Sequence, residues 1–328
     1  MSCLIESGPV SPEPGPIRRF GLRNCQRWGA DGGYRGARPA GHHPSLEQAA
    51  WSLAALALTA QGDGPPELTA AAKELLAAAG LIAAPGPPLP GLGTATPGQI
   101  ASQAAAALHE ASALAGGRGY EWGAQSDEAI LAQGRTSAQR AAAVARFTLP
   151  MMDDLAGRLA APGARLLDVG TGAGALAVAF AQVFPHVHVL GIDILDRALG
   201  LARQTIAASD VGARVTVRKQ DVADFADDAG FDLAWLPAPF FAEPALQAGL
   251  RRIVAALRPG GWLIVAHGKL GGTPAEDALT RLRTLVYGGT PIDDAAACQL
   301  LHKAGLTSVR TVPTPAGAPA ITIGQHPA

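Results

Sequence analysis

Two patterns of apolar and polar positions divide this chain. Up to about residue 160, apolar residues recur every three to four positions, as on one face of a helix. Helices are predicted from Ser45 to about Ala60, over Glu67–Ala79 and over Gln99–Ala115, each stopped by glycine or proline. Ser45 and Gln48 form an S-x-x-Q capping box for the first. A fourth, longer helix is predicted from Thr136 or Ser137 to about Leu159, kinked at Pro150. After Ala161-Pro162-Gly163 the pattern changes. Short apolar runs (LLDVG, VHVLGID, RVTVRK, FDLAWL and WLIVAH) alternate with helical stretches. Such alternation predicts βαβ units, hence a parallel sheet with helices on both faces. SVRTV and AITIG read as two last strands.

The patterns imply three segments. Residues 1–43 are rich in Pro, Gly and Arg, show no apolar periodicity, and are expected to be disordered. Residues 44–135 make a smaller helical domain, and 136–328 make the α/β domain that holds the site. With 328 residues, 48% of them hydrophobic, the chain has enough apolar matter for a large core. Lys and Arg are scattered and the net charge is -1, so no nucleic-acid partner is expected. The first residues lack the apolar stretch of a signal peptide. Runs such as Ala49–Ala60 are too short to span a bilayer, so no membrane partner is expected. Cys3, Cys25 and Cys298 have neither metal-binding nor disulfide-framework spacing. The expectation is a cytoplasmic protein without a metal site.

The chemistry concentrates in Asp168-Val169-Gly170-Thr171-Gly172-Ala173-Gly174, between an apolar strand and a helix. Glycines there permit positive φ and close approach of a ligand to the backbone. Gly170, Gly172 and Ala175 also satisfy the dinucleotide pattern, and a plain strand–helix turn would satisfy it too. Asp168 separates these readings. A carboxylate at the end of the strand suits a ligand ammonium and works against a pyrophosphate. Asp193 ends the next strand about 20 residues on, where a carboxylate binds ribose hydroxyls in either nucleotide class. Asp221, with Val222 beside it, suits an adenine amino group or, structurally, a helix N-cap.

Taken together, LLDVGTGAG (166–174), Asp193, QDV (220–222), FDLAWLP (231–237) and LRPGGWLIV (257–265) resemble the class I S-adenosylmethionine (SAM)-dependent methyltransferases. The resemblance covers about 100 continuous residues. It implies a doubly wound, seven-stranded Rossmann-like α/β sheet with a final antiparallel strand near Ala320–Gly324. It implies SAM as cofactor, with Gly170, Gly172 and Gly174 along the methionine part, Asp168 at its amino end, Asp193 at the ribose and Asp221 with Val222 at the adenine. Leu236 and its neighbours would lie near the transferred methyl group. ELTAAAKELLAAAGLIA is similar to the winged-helix segment of dimeric O-methyltransferases, which carries the expectation of a homodimer.

His267 follows the fifth strand at the edge where ligands gather, and is the candidate general base. His186 and His188 stand at the opposite edge and read as structural. Tyr120, Glu121 and Trp122 suggest a lid, and Phe240 with Phe241 a wall for an apolar acceptor. Leu236-Pro237-Ala238-Pro239 replaces an Asn-Pro-Pro-Tyr-type motif, which argues against methylation of an amide or exocyclic amine. The expected acceptor is a small molecule. An NAD(P)-dependent oxidoreductase and a non-catalytic SAM-binding protein remain as alternatives.

Overall fold

The apolar runs after residue 163 build a single sheet in the computed structural model, which describes residues 46–62, 65–81, 97–115, 122–227, 230–314 and 318–328. Three helices come first: α1 (Leu46–Gln61), α2 (Pro66–Ala78) and α3 (Pro97–Ala115). Next are α4 (Asp127–Ala143) and α5 (Leu155–Ala160). The alternating part then runs β1 (Ala164–Val169), α6 (Ala175–Val183), β2 (Val187–Asp193), α7 (Asp196–Ala207), β3 (Val215–Lys219), β4 (Phe231–Pro237), α8 (Glu243–Ala256) and β5 (Leu257–His267). It closes with α9 (Pro274–Val286), α10 (Asp294–Lys303), β6 (Thr307–Val312) and β7 (Ala320–Gln325).

The seven strands lie in the order β3-β2-β1-β4-β5-β7-β6. The first five pair in parallel, and β7 runs antiparallel to both β5 and β6. Every residue of β4 is buried, as expected for a central strand covered by helices on both faces. Alternate side chains feed two apolar layers. Trp235, Trp262 and Phe180 belong to one, Phe225, Phe231 and Leu263 to the other. The chain leaves β1 for β2 on one side and returns to β4 on the other. That reversal opens a crevice beyond the carboxyl ends of β1 and β4, the usual ligand position in such sheets.

The long helix differs from the sequence expectation. It begins at Asp127, with the Ser126 hydroxyl accepting a hydrogen bond from Ala129 N at 3.2 Å. The domain boundary expected at 135/136 therefore falls inside α4, and residues 44–328 form one compact unit. The kink near Pro150 is a graded break. A π-helical turn over Val144–Thr148 passes into a 3-10 turn at Leu149–Met151, and Asp154 sits at φ 59° before α5. Among the described residues of 44–126 there are helices and no strand, so the winged-helix likeness reduces to α2 and its end. The capping serine, Ser45, lies outside the described residues, as do residues 1–43.

Arg258-Pro259-Gly260-Gly261 already lies within β5, where the register with β4 shifts between Phe231 and Leu233. A Cβ at Gly261 would stand 2.9 Å from the carbonyl oxygens of both Phe231 and Arg258, so only glycine fits that bend. No helix among the described residues is long and apolar enough to cross a membrane.

Candidate active site

A cavity of about 240 Å³ opens at the carboxyl ends of β1, β2 and β4, with α4 and Trp122 on its outer side. Its floor is the glycine turn after β1. Gly170 and Gly172 take φ 66° and 56°, values that side chains disfavour. A Cβ at Gly172 would meet no atom within 4 Å, so the backbone there is bare on the cavity wall. Gly174 has φ 73° but does not line the cavity. A Cβ on it would press on Ala202 at 3.1 Å, so this glycine serves the packing of α6 against α7. That corrects its expected place beside a ligand.

Two buried carboxylates stand on the wall, Asp168 and Asp193. Asp168 Oδ2 accepts the Thr171 hydroxyl at 2.7 Å, and among the described residues no cation pairs with it. Burial pushes its pKa up to about 7, the Thr171 hydrogen bond opposing and the nearby Asp193 adding. Asp193 Oδ2 accepts Gly172 N and Oδ1 accepts Leu195 N, both at 2.9 Å. Burial raises its pKa too, against the lowering effect of those backbone donors. Asp193 therefore ties the end of β2 to the glycine turn. Asp221 is exposed at the cavity edge, where its Oδ1 caps the next turn by accepting Ala223 N at 2.8 Å. Val222 is buried on the wall beside it.

Two expected residues lie elsewhere. Leu236 is buried in the apolar layer beneath α8, and its neighbours Trp235 and Pro237 form the wall instead. This follows from the two-residue alternation of a strand. His267 is 1% exposed and does not line the cavity. Its Nε2 is 3.0 Å from the Thr322 hydroxyl of β7, and its Nδ1 is 3.2 Å from the Gly268 carbonyl. Burial lowers its pKa. The antiparallel strand β7 covers this edge of β5, so His267 is a core hydrogen-bonding residue and not a base positioned for a ligand.

Trp122, Phe240 and Phe241 do line the cavity, while Tyr120 and Glu121 lie outside the described residues. Trp122 meets Phe240 edge-on, with centroids 5.1 Å apart, and meets Tyr287 of α9 at 5.8 Å. Phe240 and Tyr287 stack at 4.6 Å. Sequence reasoning passed over the contribution of α4: Gln133, Ser137 and Arg140 all face the cavity. Gly134 permits this close approach, since a Cβ there would crowd Ala173 at 3.3 Å.

A family model described as a methyltransferase domain matches residues 166–261. Those residues carry the glycine turn, both buried carboxylates and strands β2 to β4. They form a class I SAM-dependent methyltransferase domain. The chain is 34% identical over 137 residues to a release factor glutamine methyltransferase of Geobacter sulfurreducens, spanning 34% of this chain and 48% of that one. It is also 35% identical over 130 residues to a ubiquinone biosynthesis O-methyltransferase of Xanthomonas campestris, 39% of this chain and 52% of that one. The chain thus spans about half the length of these curated relatives. The fold reaches further. An O-methyltransferase family protein from Burkholderia thailandensis superposes with a TM-score of 0.57 at 21% identity, covering 86% of this chain and 95% of that one. Human N-acetylserotonin methyltransferase, in complex with SAM, gives 0.57 at 18% identity, with 86% and 93% covered.

Proposed function

We propose that the chain binds S-adenosylmethionine in this cavity and transfers its methyl group to a small organic acceptor. The observation that carries the reading is Asp168, a buried carboxylate on the wall with no cation beside it among the described residues. Burial without a partner disfavours its charged form, and a ligand ammonium restores it. A pyrophosphate in the same place would face that carboxylate across a short distance, which disfavours a dinucleotide.

The other residues suit the same nucleoside. The bare backbone at Gly172 accepts a close, flexible chain. Each Asp193 oxygen receives one backbone N–H and keeps accepting capacity for a ribose hydroxyl. The second oxygen of Asp221, with Val222 beside it, suits adenine. When bound, the cofactor supplies an activated methyl on a sulfonium. The protein's part is to position and to exclude water. Trp235, Pro237, Phe240 and Phe241 give that end of the cavity apolar walls.

The acceptor side favours a small molecule over an amide. From the end of β4 onward the chain offers Pro237, Ala238 and Pro239, with no side chain to hydrogen-bond an amide group. The names of some relatives include glutamine methylation, so the test separates both outcomes. Cell extract is incubated with the protein and isotopically labelled SAM, and label is sought by mass in the small-molecule and protein fractions. Label in small molecules is expected. Label confined to protein would replace the acceptor class, and no label despite cofactor binding would make the chain a non-catalytic SAM binder.

A further inference from the structure

Among the described residues, Arg140 is the cationic side chain on the cavity wall. Among the described residues, its one hydrogen bond runs from Nη1 to the Ser137 hydroxyl at 3.3 Å, and no carboxylate lies within ion-pair distance. A guanidinium has five N–H donors in a planar fork suited to a carboxylate. Here most of that fork is unused in a half-buried place, where burial works against its charge. The nearby Arg283 is different, since Glu110 satisfies it.

The position of Arg140 indicates which ligand it faces. Tyr287 and the Arg283 guanidinium lie near Arg140, whereas Asp168 has the Thr171 hydroxyl and the Asp193 carboxylate beside it. Arg140 lines the same cavity as Trp122 and Phe240, which pack with Tyr287. Two flat aromatic side chains and an unused planar cation on one wall recognise a flat ring bearing an anionic group. We propose that the methyl acceptor is an aromatic acid, its ring against Trp122 and Phe240 and its carboxylate held by Arg140.

This rests on the cofactor reading of the same cavity, and the test keeps the two apart. Wild type and Arg140→Gln are first titrated with S-adenosylhomocysteine and with its decarboxylated analogue, S-adenosyl-3-thiopropylamine. Each protein, with and without S-adenosylhomocysteine, then receives 4-hydroxybenzoate or the neutral 4-hydroxybenzamide, and binding is read by ligand-observed NMR. Wild type is expected to bind the acid about tenfold more tightly than the amide, and Arg140→Gln to lose that preference. Affinity for S-adenosylhomocysteine should change by less than about threefold. Unchanged melting confirms that the variant folds. Equal binding of acid and amide by wild type, or binding of neither, overturns the proposal. So does loss of S-adenosylhomocysteine affinity in Arg140→Gln with the decarboxylated analogue unaffected, which assigns the arginine to the cofactor carboxylate. Failure of wild type to bind S-adenosylhomocysteine overturns the cofactor reading instead, and the acid–amide comparison on the ligand-free protein still reads the role of Arg140.

Discussion

Glu110 of α3 and Arg283 of α9, 173 positions apart in sequence, meet in a two-pronged ion pair at 2.9 and 3.1 Å. The Tyr287 hydroxyl donates to the same carboxylate. One acidic residue of the amino-terminal helices thereby fixes the helix that carries the aromatic stack beside the cavity. The Arg283 side chain is 49% exposed, so solvent screens the pair. Glu110→Gln is expected to cost about 1 kcal/mol of stability, read from the urea midpoint. A loss of several times that would mean the network is far less hydrated than its exposure indicates.

Asp168 makes ligand affinity depend on pH. Its pKa is about 7 in the folded chain, against about 4 in an unfolded one. Between those values the folded chain holds the extra proton, so this group's contribution to stability falls as pH rises from about 4 to about 7, then levels. Binding an ammonium requires the ionised form. Affinity for S-adenosylhomocysteine should therefore rise about tenfold per pH unit below about 7 and flatten above it, with proton release in calorimetry. A flat profile through this range would remove Asp168 from the amino end.

The third glycine of the GxGxG turn sits differently from the first two, and alanine separates the roles of the middle and the last. Gly174→Ala puts a methyl on Ala202 at a left-handed φ and should cost about 2 kcal/mol of stability. Gly172→Ala should fold better than that variant but lose about tenfold or more in nucleoside affinity, because its methyl stands in the cavity. Thermal melts and calorimetry check both. The reverse pattern would contradict the assignment.

His267 supplies a negative test. His267→Gln should lower stability by about 1–3 kcal/mol through lost buried hydrogen bonds. The pH dependence of turnover should not change. Loss of an ionisation from the rate profile in a folded variant would restore histidine as a base.

The sheet was legible because each strand is an apolar run closed by a turn, and βαβ handedness leaves few ways to arrange such runs. The glycine turn and Asp168 were legible because they adjoin in sequence, and Asp193 because it closes the next strand about 20 residues on. The start of α4 was not, since Gly134 weakens the helical pattern at the point where the fold needs a small residue. Arg140 carries no local signal either. An arginine on a helix reads as solvated until α6 and α9 are placed around it. His267 failed for a related reason: the strand that buries it, β7, arrives more than 50 residues later.

The central claim is that the crevice beside Asp168 takes a cationic nucleoside. Calorimetry of the full chain at pH 8 with S-adenosylhomocysteine, and separately with NADH, tests it most directly. The account predicts saturable one-to-one binding of S-adenosylhomocysteine that Asp168→Ala weakens by about 1–3 kcal/mol, and no binding of NADH. Saturable binding of NADH without S-adenosylhomocysteine binding would contradict it.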